Sequence, residues 1–306
     1  MTITLDFLTQ LKRFSLVINK RITSNYTGEH KAANAQGQGL VFKDYAAYTY
    51  GDDFRYIDWK KYAKTEHLYI KRYEEERNVT IHVVVDASGS MAFKSKETTK
   101  FEYAGMIGLG FAYLALRNNE RFVLSTFSDK LEFFRAQKGT AQLANILNYL
   151  NTKTPGGETH FAGSLAAYKK LIHSKAMVVI LSDFLYPTEE LKDALYRYKK
   201  NKIILVQVLD PLEANLNMEG DFNLVDMESN ATMQTFISPF LKEKYFEGLR
   251  SHQAKIQEIA DEIDAEFYST NSEKAVFDAL FEIIMEPTSR YKKGVHTKAP
   301  KKISES

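Results

Sequence analysis

Beyond residue 79, apolar positions fall in short, nearly unbroken runs that are separated by longer amphipathic stretches. The runs predict strands at Ile81–Val85, Phe122–Phe127, Met177–Leu181 and Ile203–Leu209. The stretches between them have helical spacing and predict helices at about 100–117, 140–150, 160–173 and 188–199. Apolar strands that alternate with helices are typical of a mainly parallel sheet buried on both faces. The pattern therefore predicts a doubly wound α/β fold.

The rest of the chain does not follow this alternation. An apolar stripe at helical spacing predicts a helix up to about Lys20, and the Gly- and Asn-rich stretch 25–39 predicts a mobile loop. The aromatic and charged segment 40–77 contains the strand-like text LYIKRY, and a polar hairpin is predicted within 210–238. The predicted elements after the hairpin are a helix at about Pro239–Ile263, a strand at EFYST and a helix at about 273–284.

These elements divide the chain into three predicted parts. Residues 1–79 are expected to form an N-terminal helix, a loop and an aromatic segment that packs on the main domain. Residues 80–285 are expected to form the α/β domain, with the hairpin near 210–238 as an insertion. The basic, Pro-interrupted stretch 286–306 predicts a disordered tail.

Composition narrows the class of protein. The 306 residues are 44% hydrophobic and 26% charged, which is ordinary for a globular chain with a sizeable core. A formal net charge of +2 does not favour nucleic-acid binding. The absence of cysteine excludes disulfides, thiolate zinc sites and cysteine nucleophiles. Without a signal peptide or an apolar window of roughly 20 residues, we expect a soluble, cytoplasmic protein that is peripheral to the inner membrane only through partners.

Two carboxylates follow apolar strands of the predicted sheet. Asp86 ends the first strand in VVVDASGSM, and Asp183 ends a later one in MVVILSDF. If the strands take the common order 3-2-1-4-5-6, with LEFFRA as the edge strand, these two strands are neighbours at the switch point. Ligands of such sheets bind in the crevice at that point, so both carboxylates are predicted to face it.

Hydroxyl groups accompany the carboxylates. Ser88 and Ser90 follow Asp86, and TPGGETHFAGSL leads into a helix that starts near Thr159. Hard divalent cations such as Mg²⁺ or Mn²⁺ prefer oxygen ligands. The candidate metal site therefore consists of Asp86, Ser88, Ser90, Thr159 and Asp183. Taken singly, each of these residues is also typical of a turn, a helix N-cap or a paired carboxylate.

Three separated segments carry a resemblance to a known family. DASGS, then Thr159, then Asp183 resembles the metal-ion-dependent adhesion site of von Willebrand factor A domains, which reads Asp-x-Ser-x-Ser, a distant Thr and a distant Asp. The resemblance implies direct coordination by Ser88 and Ser90, and direct or water-mediated coordination by Thr159. It implies largely water-mediated support from Asp86 and Asp183. In that family an acidic side chain of the partner commonly completes the metal shell, so the implied function is docking and the implied fold is von Willebrand factor A or Rossmann-like.

A second resemblance covers about residues 36 to 284. The text YGDDFRYIDWKKYAKTEHLYIKRYEEER, together with LDPLEANLNMEGDFNLVDMES downstream, is similar to the domain-of-unknown-function 58 family. This resemblance implies an association with MoxR-type AAA+ ATPases and other von Willebrand A proteins in bacterial cell-envelope, stress or metalloenzyme-maturation systems. The chain departs from the family pattern where Glu158 separates the Gly-Gly pair from Thr159, a position that bears on direct ligation by Thr159.

The block GDDFRYIDW contains a second candidate site. Asp53, Arg55, Asp58 and Trp59 combine charges with the only tryptophan of the sequence, and Trp and Arg are enriched at binding hot spots. These four residues are therefore candidate partner contacts. The alternative is an Arg–Asp network that fastens the N-terminal segment to the sheet, with Trp59 in the core.

The common signatures of catalysis are missing. The sequence has no Walker A motif, no His-Glu-x-x-His, no Gly-x-Ser-x-Gly and no Ser-x-x-Lys around Ser88 or Ser90. His160 is near the candidate site, and a surface position at a helix start explains it. A metal-dependent phosphate-ester hydrolase is the alternative, because metals activate water. The leading hypothesis is a non-enzymatic, metal-ion-dependent protein–protein interaction module, working as an adaptor or co-chaperone of a MoxR-type ATPase.

Overall fold

The computed structural model describes residues 3, 6–15, 40–75, 79–172, 176–225, 227 and 231–285. The strands are β1 (Leu40–Ala47), β2 (Tyr69–Glu75), β3 (Thr80–Asp86), β4 (Arg121–Phe127), β5 (Leu131–Glu132), β6 (Ala176–Ser182), β7 (Lys202–Leu209), β8 (Gly220–Val225), β9 (Thr232–Ile237) and β10 (Glu266–Asn271). The helices are α1 (6–15), α2 (Trp59–Thr65), α3 (Lys100–Arg117), α4 (Thr140–Thr152), α5 (Phe161–Lys169), α6 (Thr188–Tyr196), α7 (Pro211–Asn215), α8 (Pro239–Glu262) and α9 (Val276–Met285).

The chain forms two compact units. The larger unit comprises the described residues within Met1–Ile18 and Val79–Ser306, and the smaller one those within Asn19–Asn78. Helix α1 belongs to the larger unit, where Leu11 is part of the core. In the smaller unit, β1 and β2 pair antiparallel, which confirms the strand predicted at LYIKRY.

Six strands of the larger unit form one sheet in the order β10-β7-β6-β3-β4-β5. Neighbouring strands are parallel, except that the short β5 runs antiparallel to the end of β4. Counted from β3, this is the predicted order 3-2-1-4-5-6, with LEFFRA supplying the edge strand. β3 and β6 are direct neighbours, with Val85 opposite Leu181. The mainly parallel, doubly wound sheet and the switch point between these two strands are confirmed.

Helices cover both faces of this sheet. Val83 and Val85 pack into a core with α1, α3, α4 and α9, whereas Val84 belongs to the opposite core with α5, α6 and α8. Because strand side chains alternate between the two faces, a strand that is buried on both sides is apolar at nearly every position. α3 approaches the sheet closely at Gly108, where a Cβ would be 2.9 Å from Cγ1 of Val83. α3 follows β3 directly, so its first turn lies at the carboxyl edge of the sheet.

The predicted element bounds agree closely with the structure. α3 occupies the predicted residues, and the predicted hairpin is formed by β8 and β9, which pair antiparallel. α5 ends at Lys169, earlier than predicted, because the next residues make i to i−3 bonds of a tighter turn, such as Lys170 N–H to Ala167 O at 3.2 Å. The predicted loop at 25–39 and tail at 286–306 lie outside the described residues. No helix in the described part of the chain is long and apolar enough to cross a bilayer.

Candidate functional site

Asp86 ends β3 and is completely buried at the carboxyl edge of the sheet. Its Oδ1 accepts a hydrogen bond from the backbone N–H of Ser88 at 2.9 Å. Its Oδ2 accepts from the hydroxyl of Ser182 at 2.7 Å and also from the hydroxyl of Tyr186. Three neutral donors therefore orient this carboxylate without cancelling its charge.

Ser88 and Ser90 lie on the loop that follows β3. The bond from Ser88 N–H to Asp86 orients this loop, and Ser90 begins a 3-10 turn. The two Oγ atoms are 3.1 Å apart. Adjacent ligands of an octahedral Mg²⁺, each about 2.1 Å from the ion, are about 3.0 Å from one another. The two hydroxyls therefore have the spacing of neighbouring coordination positions.

Thr159 lies on the loop between α4 and α5, and backbone hydrogen bonds hold this loop to the serine loop. Gly156 N–H donates to the carbonyl of Ala87 at 2.8 Å, and Gly89 N–H donates to the carbonyl of Gly157 at 2.9 Å. These two bonds bring the loop that carries the third predicted hydroxyl to the edge where Asp86 lies. Direct ligation by Thr159 stays a prediction.

Gly89, between the two serines, lies against the turn of the β8–β9 hairpin. A Cβ at this position would be 2.5 Å from the carbonyl oxygen of Met227. The backbone of Gly89 is helical (φ −57°), so close approach rather than an unusual dihedral angle requires the glycine. The predicted insertion therefore reaches the candidate site.

Asp183 follows β6 and is also buried. Its Oδ2 is 2.9 Å from Nζ of Lys100, and the same Nζ is 2.8 Å from Oε1 of Glu213. The Lys100 side chain is only 1% exposed. The main-chain carbonyl of Asp183 accepts from Nε2 of Gln207 at 2.9 Å, which holds its backbone. A buried ammonium thus lies between two carboxylates next to the switch point.

Glu213 is positioned by a capping box at the start of α7. Asp210, the N-cap residue, accepts from Leu212 N–H at 2.8 Å, and Oε2 of Glu213 accepts from Asp210 N–H at 2.8 Å. Asp210 also accepts the N–H of Ser95 at 2.8 Å and its hydroxyl. These bonds connect the end of β7 to the segment before α3. They use Oε2 of Glu213, so its Oε1 is available to bind Lys100.

Burial and neighbouring charges change the acidity of these groups. Burial, followed by the charge of Asp183, raises the pKa of Asp86 to about 6. Burial and the two aspartates raise the pKa of Tyr186 well above its ordinary value, so its hydroxyl stays a donor. Burial opposes the charged form of Lys100, but Asp183 and Glu213 outweigh it and raise the pKa of the ammonium.

The residues at this edge fit a hard divalent cation. The serine hydroxyls have a suitable spacing, and the buried carboxyl group of Asp86, whose donors are all neutral, supplies negative charge that a divalent cation would balance. Within the described ranges, no group of three or more His, Asp or Glu side chains is arranged to hold a metal. A cation at this edge would therefore rest on neutral hydroxyls, with the carboxylates as support.

Ser182, Tyr186, Lys100 and Glu213 were not among the predicted site residues. The sequence pattern could have indicated two of them, Glu213 and Lys100. Glu213 lies three residues after Asp210, which is the spacing of a capping box. Lys100 begins a helix, where the macrodipole disfavours a cation unless anions are near. Ser182 and Tyr186 left no such signal. His160 is exposed at the N-cap of α5, which confirms its predicted surface position.

The second candidate site lies in the smaller unit, where one aspartate forms a surface ion pair and the other caps a helix. Asp53 and Arg55 form an ion pair of 2.6 Å at the surface. Asp58 is buried and caps α2 by accepting from the N–H groups of Lys60 and Lys61, at 3.0 and 3.1 Å. Asp58 is therefore a structural residue of this unit.

Trp59 follows the cap and is 61% exposed. The alternative that puts Trp59 in a core is wrong, because the ring is exposed, and it contacts the ring of Tyr62 edge to face. An exposed tryptophan four residues from an exposed arginine has the composition of a contact surface.

The fold and the site define a doubly wound α/β protein with an oxygen-lined edge at its switch point. The family model described as "Protein of unknown function DUF58" matches residues 44–255, more than half of the chain. The chain therefore belongs to the DUF58 family, as its motifs predicted. The match is shorter at both ends than the predicted span of 36 to 284.

Several proteins are similar to this chain. Uncharacterized proteins of Mycobacterium bovis and Mycobacterium tuberculosis are each 24% identical over 250 residues, which cover 80% of this chain and 78% of each relative. The structure of conserved hypothetical protein BatB from Bacteroides thetaiotaomicron has a TM-score of 0.43 at 12% identity, covering 67% of this chain and 97% of that one. The SpRpn10 VWA domain has a TM-score of 0.42 at 10% identity, covering 67% of this chain and 94% of that one.

Proposed function

We propose that this protein is a protein–protein interaction module whose contact point is a divalent cation, Mg²⁺ or Mn²⁺, at the carboxyl edge of the sheet. Ser88 and Ser90 hold the cation directly, and Thr159 holds it directly or through water. Asp86 and Asp183 support it mainly through water. The observation that carries the proposal is the 3.1 Å separation of the two serine hydroxyls beside the buried Asp86.

An acidic segment of another protein fits this contact. A cation that is held by neutral hydroxyls keeps most of its charge, so it attracts a further carboxylate strongly. The family resemblance supports a MoxR-type AAA+ ATPase, or another von Willebrand A protein, as the partner. The chain then acts as an adaptor or co-chaperone in a bacterial cell-envelope, stress or maturation system.

The smaller unit supplies a second proposed contact. Trp59 and Arg55 are exposed side chains of types that are enriched at hot spots, and Asp53 orients Arg55. Asp58 contributes by holding the start of α2. Trp59→Ala is expected to weaken capture of the partner while the free energy of unfolding stays within about 0.5 kcal/mol of wild type.

A metal-dependent phosphate-ester hydrolase is the competing function. Such an enzyme needs cationic groups for the substrate phosphate, and the buried ammonium of Lys100, which binds Asp183, is already bonded to two carboxylates. Metal-dependent turnover of a phosphate-ester panel that disappears in Asp86→Ala would favour the hydrolase.

Calorimetry with Mg²⁺ and with Mn²⁺ tests the proposed metal site directly. Wild type is expected to bind either ion, Ser88→Ala/Ser90→Ala is expected to lose this binding, and Ser251→Ala, at an exposed position of α8, is the control. Equal binding by wild type and the double variant would show that Ser88 and Ser90 do not hold the ion. Capture of partners with and without chelator then tests whether docking depends on the metal.

A further inference from the structure

Lys100 is a buried lysine in an unfavourable place. It is the first residue of α3, where the positive end of the helix dipole repels a cation, and it is almost completely excluded from solvent. Burying an ammonium costs several kcal/mol unless anions compensate it. Asp183 and Glu213 supply that compensation at 2.9 and 2.8 Å.

The salt bridge determines which oxygens of Asp183 face other groups. Oδ2 is held by Lys100, and Oδ1 accepts from the N–H of Leu185 over a longer distance, 3.4 Å. The ammonium therefore fixes the orientation of the carboxylate and occupies one of its two oxygens. While this bond is intact, Asp183 cannot turn both oxygens towards a cation, and the neighbouring positive charge makes Oδ1 a weaker direct ligand.

Glu213 keeps the ammonium in this position. Its Oε1 binds Lys100, and its Oε2 is held by the backbone N–H of Asp210 in the capping box. The hydrogen bonds from Ser95 to Asp210 join this arrangement to the segment that precedes α3. Two carboxylates, those of Asp183 and Glu213, thus hold the ammonium of Lys100 in place.

Building on the proposed metal site, we propose that Lys100 is a positioning residue that keeps Asp183 out of direct contact with the divalent cation. A direct carboxylate ligand would strengthen metal binding, because affinity rises with the charge of the ligands. It would also reduce the remaining positive charge of the cation and take up a coordination position. Lys100 therefore lowers the affinity for the metal and raises the affinity of the bound metal for a partner carboxylate.

Lys100→Met tests this role, with Lys96→Met as the control, because Lys96 forms an exposed ion pair with Glu273. We expect Lys100→Met to bind Mg²⁺ about tenfold more tightly by calorimetry. Luminescence lifetimes of bound Eu³⁺ in H₂O and D₂O are expected to show about one bound water fewer, as Asp183 replaces it. Acetate, as a carboxylate probe, is expected to bind the Eu³⁺-loaded variant more weakly. Lys96→Met should match wild type in all three measurements.

A purely structural role for Lys100 predicts no increase in Mg²⁺ affinity when the lysine is replaced. In that case Lys100→Met loses thermal stability and binds Mg²⁺ equally or more weakly, with the Eu³⁺ hydration unchanged, and the proposal is wrong. If Lys100→Met does not fold, Lys100→Met/Glu213→Gln removes the ammonium together with its second carboxylate, leaves Asp183 without its cation, and must shift Mg²⁺ affinity in the same upward direction. If the wild-type protein binds neither Mg²⁺ nor Eu³⁺, the proposed function itself is wrong. If wild type and Lys100→Met bind metal equally, only the role proposed for Lys100 is wrong.

Discussion

The hydroxyl of Ser182 donates a hydrogen bond to Oδ2 of Asp86 over 2.7 Å, although 96 residues separate the two along the chain. Parallel pairing of β3 with β6 brings the last residues of both strands together. The Ser182 oxygen also accepts the N–H of Phe184 at 3.0 Å. One hydroxyl therefore links two strand ends and the turn that carries Asp183.

Removing this hydroxyl should destabilise the larger unit. Ser182→Ala leaves the buried Asp86 with one donor fewer and the N–H of Phe184 without its acceptor, so we expect a loss of about 1–3 kcal/mol in the free energy of unfolding. Urea unfolding in the presence of chelator measures it. Ser251→Ala, at an exposed position, should stay within about 0.5 kcal/mol of wild type. Equal stability of the two variants would mean that the bond to Asp86 contributes nothing.

Gly89→Ala should disturb the contact between the serine loop and the hairpin. The new Cβ would lie 2.5 Å from the Met227 carbonyl, so one backbone must move, at a cost of about 1–3 kcal/mol. Hydrogen exchange of the hairpin should accelerate.

The matched control for that change is Gly163→Ala. Gly163 is in α5 with open space around the added Cβ, so alanine should stabilise the protein by about 0.5–1 kcal/mol. If Gly89→Ala is as stable as this control and its hairpin exchange is unchanged, the close contact with Met227 does not exist in solution.

His82 should make stability depend on pH. Burial, and secondarily the charge of Lys169, lowers the pKa of His82 to about 4, and its Nδ1 is 2.9 Å from the hydroxyl of Tyr168. The unfolded chain takes up this proton near pH 6.5, whereas the folded protein resists it until about pH 4. The contribution is therefore complete above pH 6.5 and is lost as the pH falls towards 4, about 3 kcal/mol in all.

Urea unfolding at pH 4.5 and pH 7 measures this dependence. His82→Gln cannot take up the proton, so the difference in stability between the two pH values should be smaller in the variant than in wild type. The same difference in both proteins would show that His82 titrates normally in the folded state.

Asp58 and Asp53 should differ in their effect on the smaller unit. Asp58→Ala removes the N-cap of α2 and the bonds that Asp58 accepts from Tyr45 and Lys71, at 2.9 and 3.2 Å. Asp53→Ala removes a surface ion pair and the bond from the backbone N–H of Arg55, at 3.0 Å, which starts a separate 3-10 turn before α2. Amide exchange at Lys60 and Lys61 should therefore accelerate in Asp58→Ala and change little in Asp53→Ala. Similar exchange in both variants would contradict the structural role of Asp58.

Most of the fold could be predicted because its signals are local. Unbroken apolar runs indicate strands that are buried on both faces, and apolar residues at helical spacing indicate helices. α3 matches its predicted residues for the second reason. Bounds were less accurate where a helix ends in a tighter turn, as after Lys169. Trp59 was placed wrongly in one alternative because a large apolar side chain favours burial, whereas in the structure it begins α2 and is exposed.

The sequence by itself determined the class of fold and the placement of Asp86 and Asp183 at strand ends, since each follows from a periodic pattern. The common strand order was an assumption about such sheets, and the structure shows that it holds. Only the tertiary structure decided what surrounds these carboxylates. The bonds from Ser182 and Tyr186 to Asp86, and from Lys100 to Asp183, join residues far apart in the chain. Their formation depends on strand register and on how closely α3 packs against the sheet, and no local spacing of residues encodes those distances.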